Sequence, residues 1–227
     1  MKGVLDKDYA IARQTKRSHI HRLKRRTFEV LKSIQTFHPE IPQSILDIGT
    51  ADGLMLSNLK DAFPDATCAG IEYARDLMAC CESKTIHLIQ GDAITLPIKD
   101  NMFDVVIATA IIEHVSEPVQ LVREAFRVLR KNGILIMTTP HPFWEGIATH
   151  IGHLKGEEHH ELINLSKLIS LFNTAGFEIL KAAQFMISPV GMPFELILEK
   201  IMKLCRLNFL LLNQIIVGRK MGIYTRH

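Results

Sequence analysis

Nine consecutive residues constrain this chain more than any others: Ile45-Leu46-Asp47-Ile48-Gly49-Thr50-Ala51-Asp52-Gly53. A run short enough to be a buried strand ends in a turn of small residues, and a helical pattern from Leu54 to Phe63 starts directly after it. Glycine in such a turn adopts backbone angles denied to other residues and lets the main chain touch a ligand. The first strand-to-helix turn of a parallel sheet is also where nucleotide-like ligands bind.

The alternation continues beyond the turn. Thr67 to Ile71, Ile86 to Gln90, Phe103 to Thr109 and Gly133 to Thr138 read as strands. Between them, Ala74 to Ser83 and Pro118 to Leu129 read as helices. Apolar strands joined by single helices predict right-handed βαβ units and a parallel sheet. Leu162 to Ala175 reads as a helix capped by Gly176, followed by a strand over Phe177 to Ile187. An inserted helix, Pro193 to Leu207, and a final strand, Phe209 to Val217, complete the chain. Upstream, Tyr9 to Phe37 reads as one or two helices with an apolar stripe, ended by His38-Pro39-Glu40-Ile41-Pro42.

The glycine pattern separates two ligand classes. A dinucleotide fingerprint, Gly-x-Gly-x-x-Gly, needs glycine at 49, 51 and 54, where this chain has Gly49, Ala51 and Leu54. A nicotinamide oxidoreductase is therefore disfavoured. The spacing instead resembles motif I of the class I S-adenosylmethionine-dependent methyltransferases, Asp/Glu-x-Gly-x-Gly-x-Gly, with Asp47, Gly49, Ala51 and Gly53 in its places and Ala51 departing from the middle glycine.

Later segments match the same family in order. Glu72 ends Ala69-Gly70-Ile71-Glu72-Tyr73, Gly91-Asp92-Ala93 follows the third strand, and Leu129-Arg130-Lys131-Asn132-Gly133 precedes the fifth. The resemblance covers roughly residues 43 to 140 and extends to the ubiquinone and menaquinone pathway methyltransferases. It implies S-adenosylmethionine as cofactor, with S-adenosylhomocysteine as product. Its site would include Asp47, Gly49, Thr50, Ala51 and Gly53 at the turn, Glu72 with Tyr73 at the ribose, Asp92 with Ala93 at adenine, and Thr109 with Ala110 at the methionine end. It implies an α/β, Rossmann-like doubly wound sheet of seven strands, mostly parallel with an antiparallel C-terminal edge strand and helices on both faces. Residues 1–42 would be a basic helical lid. Residues 43–227 would form the methyltransferase domain, with an acceptor-side region at about 141–207.

A sulfonium methyl is already electrophilic, so alignment in a dry pocket is the main task, and a base helps when the acceptor is a hydroxyl or amine. His114, His141 and His160 are the candidates. His114 follows Glu113 after the fourth strand and could equally cap a helix, His141 lies between prolines near Trp144, and His160 precedes a helix. His150, His153, Glu157, Glu158, His159 and His160 form a ligand-rich stretch, read as a polar loop without metal.

Charge is uneven. Residues 1 to 32 carry +7 within a chain of net +3, leaving −4 elsewhere. These cations could meet RNA or an anionic membrane surface, but a lid with its cations in solvent is preferred, and nucleic acid is disfavoured because Ala110-Ile111-Ile112-Glu113 stands where base methyltransferases carry Asn/Asp-Pro-Pro-Tyr/Phe. The apolar run Leu207 to Gly218 has 12 uncharged residues, short of a bilayer span, and Met1-Lys-Gly-Val-Leu-Asp lacks a signal-peptide core. Four cysteines without a Cys-x-x-Cys suggest neither a disulfide framework nor a thiolate zinc site, and point to a cytoplasmic setting. The segment from Met192 to Leu212 reads as a core-facing or dimer-forming helix rather than a membrane anchor, with peripheral membrane contact left open. The leading expectation is a methyltransferase acting on a small-molecule or lipid-like acceptor. A regulator that binds the cofactor without turnover and an RNA methyltransferase are the alternatives.

Overall fold

The computed structural model describes residues 7–144 and 163–221. A seven-stranded sheet organises them: β1 Ser44–Ile48, β2 Thr67–Glu72, β3 His87–Gln90, β4 Phe103–Thr109, β5 Leu129–Pro140, β6 Phe177–Phe185 and β7 Asn213–Lys220. Their order across the sheet is β3-β2-β1-β4-β5-β7-β6. The first five strands are mutually parallel, and β7 runs antiparallel to both β5 and β6. The antiparallel C-terminal strand thus lies one place inside the edge, and β6 is the edge strand. Strand order reverses at β1, where β1 separates β2 from β4, and this opens a crevice above the carboxyl ends of those strands.

Seven helices described from end to end surround the sheet: α1 Lys7–Thr15, α2 Arg17–Phe37, α3 Leu54–Ala62, α4 Arg75–Met78, α5 Pro118–Val128, α6 Leu165–Ala175 and α7 Glu195–Leu204. Alternate residues of a strand point to opposite faces, which gives the domain two cores. Val106 and Ala108 of β4 join Leu121, Val122 and Ala125 of α5 and Phe172 of α6 on one face. Val105 and Ile107 join Val30 and Ile34 of α2 and Leu56 and Leu59 of α3 on the other. Each of these side chains is at most 1% exposed, so the sheet is covered on both faces, as parallel sheets require.

Three elements differ from the sequence reading. The helix expected over Ala74 to Ser83 is the single turn α4, because Leu77 is its one buried residue and Cys81 then tucks its sulfur beneath Gly53. The last strand starts at Asn213 rather than Phe209, since 208–210 form a short 3-10 turn. Most consequentially, α7 is not core-facing. It buries its carboxylates, Glu195 and Glu199, and turns its leucines and isoleucines outward. The reason lies on α2, where the buried Arg25 guanidinium needs a partner: its Nη2 is 2.6 Å from Glu199 Oε2 and its Nε is 4.0 Å from Glu195 Oε1. Glu199 also accepts from the Met186 amide and from Lys203 Nζ.

Candidate cofactor site

The crevice is built at the carboxyl ends of β1, β2 and β4, where the backbone is repeatedly left-handed. Gly49, Ala51 and Gly53 have φ of 74°, 55° and 75°, and Ala110 after β4 has 53°. A Cβ at Gly49 would collide with the Ile111 side chain, so this glycine is required by close approach as well as by its backbone angle. The Gly49 and Thr50 amides both donate to the Ile71 carbonyl, at 2.9 and 3.1 Å, which ties the turn after β1 to the end of β2.

Glu72 closes that tie from the other side. Its Oε2 accepts from the Ala51 amide and its Oε1 from the Ala74 amide, both at 2.9 Å, and the residue is 9% exposed. Each carboxylate oxygen has a second lone-pair site, so the group can still accept from two adjacent hydroxyls. Asp47, 2% exposed at the end of β1, leaves its Oδ1 without a hydrogen-bond partner, and Thr50 Oγ1 is also unpartnered. Burial pushes the Asp47 carboxyl up to about 7, with the Arg13 charge opposing the rise. Asp92 is exposed at the end of β3 and accepts from the Ile94 amide at 3.1 Å, while Ala93 is buried beside it. Tyr73 is 44% exposed. Thr109 donates to the Met55 sulfur at 3.7 Å, and the Ala110 amide donates to the Thr138 carbonyl, binding the ends of β4 and β5 together.

Residues 46–137 match the family model for a methyltransferase domain. This segment is similar to a methyltransferase domain. A solved methyltransferase from Archaeoglobus fulgidus, described as S-adenosylmethionine-dependent, shares its fold with a TM-score of 0.69 at 18% identity, covering 95% of this chain and 100% of that one. A demethylmenaquinone methyltransferase of Staphylococcus haemolyticus is 28% identical over 182 residues, 67% of this chain and 75% of its own. A protein of Mycolicibacterium smegmatis, named a probable S-adenosylmethionine-dependent methyltransferase, is 28% identical over 141 residues, 60% of this chain. The chain spans about half of that relative's length, 52%. Family and relatives together imply S-adenosylmethionine as cofactor.

The residues of this crevice fit that group. Glu72 offers acceptors for ribose hydroxyls, the orphaned Asp47 and Thr50 oxygens lie at the turn where a polar ligand atom would reach them, and Gly49 keeps the turn free of a side chain.

The α1 helix lies over this turn. Ala10 packs with Ala51, Ala74 and Leu77 in one small cluster, and Arg13 Nε is 3.3 Å from Asp52 Oδ1. Asp52 carries no side-chain exposure, and its carboxyl is pushed up by burial against the pull of Arg13.

The acceptor side holds groups that the sequence reading did not single out as a site. Glu113, 2% exposed in the 3-10 turn after β4, accepts from Thr139 Oγ1 at 3.2 Å. Arg26 of α2 donates through Nε and Nη2 to Asn213 Oδ1, at 3.3 and 3.0 Å, and sits in the fields of Arg22, Arg13, Tyr9 and Glu113. Asn213 pairs with Pro140 across β7 and β5, which places this arginine at the carboxyl end of β5. The only sequence signal for it was the basic character of α2.

Among the candidate histidines, His114 is half-buried in the same turn as Glu113. His141 is half-buried after β5, and desolvation holds its imidazole below the ordinary value, so it is neutral near pH 7. Its Nδ1 accepts from the Phe143 amide at 3.3 Å, an arrangement that puts the proton on Nε2. His160 and the ligand-rich stretch from His150 to Glu161 lie outside the described residues. Within the described residues, no group of three or more His, Cys, Asp or Glu could hold a metal ion, and no helix is long and apolar enough to cross a membrane.

Proposed function

We propose that the protein transfers the methyl group of S-adenosylmethionine to a small-molecule or lipid-like acceptor. The observation that carries this reading is Glu72, whose carboxylate is held by the Ala51 and Ala74 amides where a ribose would lie beside the glycine turn. The cofactor supplies a methyl carbon attached to a sulfonium, which needs no further activation. The chain's own contribution is then orientation and exclusion of water. Asp47, Thr50 and Glu72 fix the nucleoside and amino-acid ends, and Ile111 provides the apolar wall over Gly49.

In this reading α1 and α2 are the lid. Arg13 on Asp52 and Ala10 on Ala51 close the turn from solvent, while Arg26 on Asn213 lies at the carboxyl end of β5 and His19 packs against the Tyr9 ring. His19 is held down to about 4 by burial and by Arg22, Lys16, Arg13 and Arg26, so it remains neutral at ordinary pH. His114 and His141 are the base candidates among the described residues, and His141 would first have to shift its proton from Nε2. A relative named for demethylmenaquinone supports a lipid-like acceptor.

The test is transfer of labelled methyl from S-adenosylmethionine to metabolite, lipid and RNA extracts. Label in a small-molecule or lipid fraction is the expected result. Tight cofactor binding with no label in any fraction would favour a non-catalytic regulator, and label in RNA alone would move the acceptor class.

A further inference from the structure

Helix α7 is amphipathic in the wrong direction for a globular protein. Its two carboxylates face inward against Arg25 and His21, whereas Phe194, Ile197, Ile201 and Leu204 are 76%, 58%, 50% and 85% exposed. Phe209, 56% exposed, extends the apolar surface beyond the helix. Exposed apolar surface this concentrated marks an interaction site.

The charges around it select the partner. From Ile179 to Met221 the only acidic residues are Glu195 and Glu199, both buried. The exposed charges on and beside the helix are cations, Lys200 and Arg206, with the exposed Arg17 anchored nearby through its hydrogen bond to the Val190 carbonyl. An apolar face whose exposed charges within the described residues 179–221 are all cations suits the interface of an anionic bilayer, where the apolar residues enter the acyl boundary and the cations meet phosphate. A second copy of the chain suits it poorly. A two-fold contact places each patch against itself, so Lys200 and Arg206 would face like charges with no exposed carboxylate from the described residues 179–221 between them. At ten residues the helix is far too short to span a bilayer and would lie in its plane.

We propose that α7, with Phe194 and Phe209, docks the protein on anionic lipid surfaces. The surface adjoins the acceptor end of the crevice, because the indole Nε1 of Trp144 donates to the Phe209 carbonyl at 3.2 Å and the His141 amide donates to the Leu212 carbonyl. Docking there would bring the mouth of the site to the membrane. The inference is independent of methyl transfer, since lipid association needs no turnover.

Trp144 is the chain's single tryptophan and reports on this surface directly. The full chain should float with vesicles of phosphatidylcholine containing phosphatidylglycerol, with a blue shift of Trp144 emission, and bind vesicles of phosphatidylcholine alone much more weakly. Ile197→Asp with Leu204→Asp changes only exposed positions and should weaken vesicle association at least about tenfold without altering the thermal melt. Lys200→Glu with Arg206→Glu should abolish the preference for anionic lipid. Absence of flotation with anionic vesicles would overturn the proposal, as would equal binding to both vesicle types. So would sedimentation showing a dimer in buffer that dissociates in the Ile197→Asp, Leu204→Asp variant while vesicle binding is unchanged.

Discussion

Arg13 Nε lies 3.3 Å from Asp52 Oδ1, which ties the first helix of the chain to the turn that opens the cofactor crevice. Both side chains are largely withdrawn from solvent, at 12% and 0% exposure, so the pair is a buried one. Removing one partner leaves the other charge buried and uncompensated, a loss of about 3–5 kcal/mol in well-buried cases. Arg13→Ala should therefore release α1. Hydrogen exchange over residues 7–15 should rise sharply while the sheet amides stay protected, and unchanged protection of α1 would show that the pair does not hold it.

Gly49 and Ile111 form a second such relationship. A Cβ at position 49 meets the Ile111 side chain, and the φ of 74° is strained for any other residue. Gly49→Ala should destabilise the fold by about 1–3 kcal/mol. Adding Ile111→Ala removes the steric part and should recover some of that loss in urea denaturation, leaving the backbone part. Strictly additive effects would mean that the contact is irrelevant.

Asp47 predicts a pH dependence. Its carboxyl is raised from 3.8 to about 7, so the folded chain holds this proton more tightly than the unfolded chain does. The corresponding stability is fully present below pH 3.8 and is lost as pH rises to about 7, with a slope of at most about 1.4 kcal/mol per unit. Asp47→Asn should remove that slope in the cofactor-free protein. Urea denaturation at about pH 5 and about pH 8 checks it: native and variant curves that shift in parallel would contradict a raised Asp47.

These relationships were unequally visible in the sequence. Strand β1, the glycine turn and Glu72 are local features, each marked by residue type and spacing, and the structure sets the Glu72 carboxylate on the Ala51 amide. The short α4 was hidden because a helix-compatible string from Ala74 to Ser83 does not reveal that only Leu77 has a core to bury into. Helix α7 was misread for a complementary reason. Its apolar stripe is evident, but the stripe faces the core only if nothing else on the helix has a stronger claim, and the buried Arg25 lies 174 residues away in the chain. Arg26 and Glu113 were obscured in the same way, since a basic helix gives no sign of which cation turns inward until α2 is placed against β7. Long-range electrostatic partners, unlike local periodicity, leave no spacing to read.

The most direct measurement is calorimetric titration of S-adenosylmethionine into the native protein and into the Glu72→Ala and Glu72→Gln variants, each checked by thermal melt for an intact fold. Native binding should be clear, and Glu72→Ala should weaken it by about 1.5–3 kcal/mol, roughly tenfold to 150-fold, for loss of a charged hydrogen-bond acceptor, with Glu72→Gln in between. A native protein that gives no binding heat, or a folded Glu72→Ala variant with native affinity, would contradict the assignment of this crevice to the cofactor.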